Sequence, residues 1–101
     1  MSDLEVKMKD LGDYWNQKMP MMAMEECAEL IQAISKFERA DIVIEDRNVE
    51  NSLYNNLVKE MADVYISIHA LMWWYTDNDS MYEVMKEDVA DAIVAKLNKK
   101  Y

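Results

Sequence analysis

One glycine, one proline and one cysteine are all that 101 residues contain of each. Every scarcity excludes something. With only Gly12 and Pro20 to build tight turns, many short strands are disfavoured and a few long helices are expected. A single cysteine, Cys27, cannot close an internal disulfide, which points to a reducing, cytoplasmic setting. No apolar run reaches the roughly 18 residues that a membrane helix needs. The opening MSDLEVKMKD has no signal-peptide character. Positive charge is short as well: 11 Lys and Arg stand against 20 Asp and Glu, a formal net charge of −9. Gripping a nucleic-acid polymer by its phosphates needs a basic patch, so that partner is not expected. Metal cations suit this charge, as do anionic substrates that arrive with metal.

Apolar residues are plentiful, at 51%. Residues 1–101 fit one domain, and the periodicity predicts an all-α, four-helix bundle-like chain. The first helix spans roughly 2–17 and is weakened in the middle by Gly12. Pro20 sits in the first turn of a second helix, where its missing N–H costs nothing, and that helix runs to about Ala40. At 100° per residue, Ala23, Cys27, Leu30, Ile31 and Ile34 share an apolar face, and Cys27 is expected to be buried there. Glu25, Glu26, Glu29 and Lys36 lie on another face, with Ala33 among them. Residues 41–51, DIVIEDRNVEN, read as a connection with a short apolar anchor at Ile42–Ile44. A third helix covers about 52–75, with Asn51 or Ser52 as N-cap. Its apolar face is Leu53, Leu57, Val64, Ile68 and Leu71; beside it runs a polar stripe of Asn56, Glu60, Asp63 and Ser67. TDNDS at 76–80 marks a break, Ser80 with Glu83 fits a capping box, and a last helix turns Met85, Val89, Ala92 and Ile93 inward.

Two carboxylate pairs stand out because each abuts an apolar face. Glu26 and Glu29 are three apart, as are Glu60 and Asp63, and residues three apart on a helix are neighbours. If the second and third helices pack along these edges, four carboxylates converge. Such a cluster is costly unless cations neutralise it. All-oxygen ligands suit Mg²⁺, with Mn²⁺ as the alternative. A solvated acidic face is the plain competing explanation. A di-iron bundle needs Glu-x-x-His on two helices, and the only histidine, His69, has Ile66 three residues before it. Lys36 shares the carboxylate side and is a candidate phosphate contact; Lys96 and Lys99 are candidates to close over phosphates. Trp15, Gln17 and Asn56 are candidate contacts for a base.

The segments MEECAELIQAISKFER and KEMADVYISI resemble the MazG-like all-α nucleoside triphosphate pyrophosphohydrolases. The family signature is Glu-Glu-x-x-Glu, a spacer, then Glu-x-x-Asp. Glu25, Glu26 and Glu29 match its first half, and Glu60 and Asp63 the second, over a resemblance that covers about residues 17–75. The resemblance implies Mg²⁺ on Glu26, Glu29, Glu60 and Asp63, and cleavage of a nucleoside triphosphate between the α and β phosphates to monophosphate and pyrophosphate. Glu25 or Glu26 is the expected base for the attacking water. Relatives acting on dUTP, dCTP or phosphoribosyl-ATP are the nearest alternatives, and a non-catalytic acidic helical module that binds a partner protein is the alternative from another class. The resemblance also implies a homodimer or dimer of dimers. The run HALMWWY, apolar almost all round its helix, leads to the same expectation and places Trp73 or Trp74 at or near the interface.

Overall fold

The computed structural model describes residues 2–40 and 52–100, and the expected connection at 41–51 with its Ile42–Ile44 anchor lies outside them. The fold is all-α. Among the described residues there are four α-helices: α1 (Asp3–Trp15), α2 (Met19–Ala40), α3 (Ser52–Thr76) and α4 (Asp79–Lys100), with a 3₁₀ turn at Asn16–Lys18 between the first two. No helix among them is long and apolar enough to cross a membrane.

Each boundary has a local cause. Ser2 caps α1 through a complete capping box with Glu5, which satisfies otherwise orphaned N–H groups. Asn16 ends α1 with a positive φ of 48°, its N–H donating to the Gly12 carbonyl. Pro20 lies in the first turn of α2, as expected. Asp77, at φ 56°, turns the chain out of α3. The cap of α4 is Asn78, whose Oδ1 accepts from the Met81 N–H at 2.8 Å. The expected box at Ser80 is therefore displaced by two residues; Ser80 lies inside the first turn and Glu83 pairs with Lys86 instead. Gly12 does not break α1. A Cβ there would lie 2.9 Å from the Ala70 carbonyl oxygen, so the glycine lets α1 and α3 approach closely.

The antiparallel pair α2 and α3 forms the body of the molecule, and α1 and α4 both pack on α3. One apolar cluster joins Met19, Ala23 and Ala70, with Trp15, Leu71 and Trp74 against it. A second joins Ala33, Phe37 and Leu57 at the other end of the pair, with Leu30, Leu53 and Tyr54. On α2 the seam thus runs through 19, 23, 26, 30, 33 and 37, alternating steps of four and three.

This rotates α2 away from the expected face. Ala33, expected on the polar side, is buried, whereas Cys27 and Ile31 are exposed and Ile34 is 43% exposed. Ala23 and Ala33 let the two backbones approach between the larger seam residues Met19, Leu30 and Phe37, while Ile31 and Ile34 point outward. Ile68 on α3 is likewise exposed. The third correction is α4. Among its described residues only Tyr82 is buried, Met85 packs beside Tyr82, and Val89, Ala92 and Ile93 are exposed. Within the HALMWWY segment Ala70, Met72 and Trp73 are buried by the chain itself, His69, Leu71 and Trp74 are half-buried, and Tyr75 is exposed. Trp73, 4% exposed, stacks on Tyr82 at 4.1 Å with Lys9 near its ring, and Trp74 packs in the first cluster. The expectation that Trp73 needs a second chain to cover it does not hold.

Candidate metal centre

Between the two apolar clusters the seam changes character. Glu26 occupies a seam position on α2 and Glu60 one on α3, where apolar residues sit in the flanking layers. Asp63, one turn after Glu60, completes a group whose ligand oxygens all lie within 4.8 Å of one another. Glu60 is buried, and Glu26 and Asp63 are half-buried. The triad could hold a metal ion.

Its electrostatics point the same way. Glu26 Oε2 and Glu60 Oε2 are buried and have no hydrogen-bond partner. Burial pushes the Glu26 carboxyl above its ordinary range, and the charges of Glu29, Asp63 and Glu60 push it further. Glu60 is raised first by burial, then by Glu29; Lys59 opposes this, and Asp63 adds to it. The Lys59 ammonium is 3.8 Å from Glu60 but largely in solvent, so its screened charge is weak compensation. Orphaned buried carboxylate oxygens fit a hard cation, which would take both the lone pairs and the charge.

Of the four carboxylates expected to bind metal, Glu26, Glu60 and Asp63 form the triad. Glu29 is exposed, yet it is the foremost charged neighbour of both Glu26 and Glu60. Glu25 is exposed and outside the triad. Asn56 is half-buried one turn before Glu60, on the same stripe. Lys36 is exposed, seven residues beyond Glu29, or about 10 Å along the helix axis. Trp15 serves as packing in the first cluster, and Gln17 is exposed in the 3₁₀ turn. Lys96 and Lys99 are exposed on α4. That helix lies along the Tyr65, His69 and Met72 side of α3, and His69 is half a turn round from Glu60. The described packing therefore does not carry either lysine to the triad.

A second polar cluster had no signal in the sequence, because its members are up to 81 residues apart. Tyr82 Oη and Lys86 Nζ each donate to Glu5 Oε2 at 2.9 Å. His69 Nδ1 lies 3.1 Å from Tyr82 Oη; that hydroxyl proton goes to Glu5, so the imidazole donates. These bonds tie α1, α3 and α4 together.

No family model, curated protein or solved structure matches this chain.

Proposed function

We propose that this chain is a divalent-metal-dependent nucleoside triphosphate pyrophosphohydrolase. One observation carries the reading: Glu26, Glu60 and Asp63 converge in a helix seam, with buried oxygens that nothing in the described chain satisfies. Buried carboxylates with only a weak, solvent-exposed counter-charge destabilise a fold, and such a cluster in so small a core supports a functional role. The spacing Glu-Glu-x-x-Glu followed by Glu-x-x-Asp, carried by residues 25–29 and 60–63, supplies the reaction class by resemblance.

The proposed reaction adds water to the α-phosphorus and breaks its bond to the bridging oxygen, releasing monophosphate and pyrophosphate. Mg²⁺ or Mn²⁺ on Glu26, Glu60 and Asp63, with Glu29 beside them, would neutralise the phosphate oxygens and the departing pyrophosphate. The chain's own part is to fix the carboxylates on two packed helices and to accept the proton of the attacking water. Glu26 is the better placed base, because it is half-buried within the triad. Glu25, out in solvent, lacks that setting.

The test is a panel of ribo- and deoxyribonucleoside triphosphates, dUTP and dCTP included, incubated with Mg²⁺ while monophosphate and pyrophosphate are both measured. The two products should appear in equal amounts. Glu60→Gln should lower the rate at least about 100-fold, since even residues one shell outside a metal matter up to that much. Orthophosphate and nucleoside diphosphate as first products would move the protein to another reaction class. No hydrolysis of any substrate would leave only the metal site.

A further inference from the structure

We infer that the polar cleft where the C-terminal ends of α1 and α3 meet binds a small molecule that carries a guanidinium group beside a carbonyl oxygen, the chemistry of an arginine amide. The inference is independent of the catalytic reading, because the cleft lies about 20 Å along α3 from Glu60. It encloses about 310 Å³, the small end of the range for ligand cavities. Gly12, Asp13 and Asn16 line it from the α1 side, and Trp73, Trp74 and Asp77 from the α3 side. Asn16 and Asp77 are the two non-glycine residues with positive φ among the described residues, and both line this cleft.

Two acids stand here against the electrostatics of their helices. The C-terminal end of a helix carries partial negative charge and favours a cation. Asp13 lies in the last turn of α1 and Asp77 directly follows α3, and neither helix has a basic residue in its last turn. Neither carboxylate has an ion pair or a side-chain hydrogen bond among the described residues. Lys9, which lies over the Trp73 ring, is paired with Asp79 instead. The cleft is therefore negative, with no cation among the residues that line it, on a chain whose net −9 adds to the attraction for one.

A second observation supplies a donor. Trp73 is 4% exposed, and its Nε1 is buried without a hydrogen-bond partner. Tyr82 stacks on the ring at 4.1 Å, and sterics put the Lys9 ammonium, 4.8 Å from the ring centroid, on the opposite face. With both faces taken, the indole meets the cleft by its edge, the part that carries the N–H. An indole N–H cannot ligate a metal; it needs an oxygen acceptor. The carboxylates need a cation. Among the described residues only the seam acids form a group of three or more that could hold a metal ion, so an organic cation suits this cleft better than a metal. A guanidinium presents five N–H donors in a planar, weakly hydrated fork, enough for two carboxylates at once. A carbonyl in the same molecule accepts from Trp73.

Titration of the metal-free, nitrogen-15-labelled protein with argininamide, followed by nuclear magnetic resonance, tests this. Three tryptophans give three indole N–H signals, and the one missing from Trp73→Phe belongs to Trp73. That signal should move downfield and saturate at millimolar argininamide. Agmatine keeps the guanidinium but lacks the carboxamide, and should bind at least about 5-fold more weakly because the Trp73 N–H stays unpaired. Asp13→Asn and Asp77→Asn lie at exposed positions, and asparagine tolerates the positive φ of residue 77. Each should weaken binding at least about 10-fold with unchanged helical circular dichroism. Glu60→Gln should bind as the wild type does, since the seam is a separate site. A Trp73 signal that does not respond, equal binding of agmatine, or wild-type binding by both aspartate variants would overturn the inference. So would loss of binding in Glu60→Gln.

Discussion

Glu5 and Glu60 are the same side chain in opposite settings. Glu5 accepts from Lys86 and Tyr82, both at 2.9 Å, and the Lys86 ammonium, then the Tyr82 hydroxyl, hold its carboxyl down to about 2. Its partners respond in kind: Tyr82 is pushed up to about 12 by burial and by Glu5, and Lys86 rises well above the usual range through its bonds to Glu5 and Glu83. Glu60 is buried with an oxygen that nothing satisfies, among Glu26, Glu29 and Asp63, and its carboxyl is raised. Where a half-buried charge serves the fold, the fold supplies its counter-charge. In the α2–α3 seam the only nearby positive charge among the described residues is the solvent-exposed Lys59, and the carboxylate group there could hold a metal ion.

The comparison breaks most visibly if each cluster is cut. Tyr82 is fully buried, stacks on Trp73 and bonds to Glu5. Tyr82→Ala should cost about 4 kcal/mol, near the loss for a buried aromatic, and roughly 20 °C in melting temperature at this chain length. Glu60→Gln should do the reverse in metal-free buffer and raise the melting temperature, because it removes an uncompensated charge. Mg²⁺ should stabilise the wild type, as any ligand of the folded state does, and stabilise Glu60→Gln far less. Thermal unfolding followed by circular dichroism, with EDTA and with Mg²⁺, reads all of these. A fall in the melting temperature of Glu60→Gln in EDTA would mean that the seam charge is already paired.

Acidity separates the clusters by sign. Glu5 has a folded value of about 2 against an ordinary 4.5, so its contribution is present above pH 4.5 and is lost as pH falls toward 2. Glu26 and Glu60 are raised above 4.5, so theirs is fully present below pH 4.5 and is lost as pH rises through their folded values. His69 is lowered below 6.5, by burial first and then by Lys86, while Glu5 opposes the shift; its contribution is present above pH 6.5 and declines below. In EDTA, the melting temperature of the wild type should therefore gain on that of the double variant Glu26→Gln, Glu60→Gln as pH falls toward 4.5, and both should fall below pH 4.5. Mg²⁺ should reverse the wild-type trend, since cation binding needs the carboxylates deprotonated. A difference between the two proteins that stays flat across this range in EDTA would contradict the raised values in the seam.

The helices and the acidic stripe were legible in the sequence because both are local. Pro20 and the TDNDS break act within a few residues, and Asn56, Glu60, Asp63 and Ser67 line up by helical geometry alone. The seam of α2 was not legible. Hydrophobicity favours Ile31 and Ile34 over Ala33, yet the seam selects for close approach, and Ala33 with Glu26 sits in it. The outward turn of Ile31 and Ile34 leaves both exposed. The Glu5 cluster escaped for another reason: nothing within reach of a local pattern links residue 5 to residues 82 and 86.

The smallest effects give the finest contrast, because two hydroxyls can be deleted with little change in volume. Tyr82 Oη lies in the closed cluster, donating to Glu5 and accepting from His69. Ser67 Oγ lies in the seam, on a residue 3% exposed, and has no partner. Losing a bonded hydroxyl removes its bonds and strands its partners, so Tyr82→Phe should cost about 1.5 kcal/mol. Losing an unbonded buried hydroxyl removes only a desolvation penalty, and alanine is the better helix former, so Ser67→Ala should stabilise by about 0.5 kcal/mol. Urea midpoints at constant slope measure both without assuming a heat capacity. The sign for Ser67 is the informative part. Should Ser67→Ala cost more than about 1 kcal/mol, its hydroxyl has a partner in solution, and a water shared with the neighbouring carboxylates is the group that chemistry allows there. The seam would then be wet around its acids, and the unsatisfied oxygens of Glu26 and Glu60 would need a cation correspondingly less.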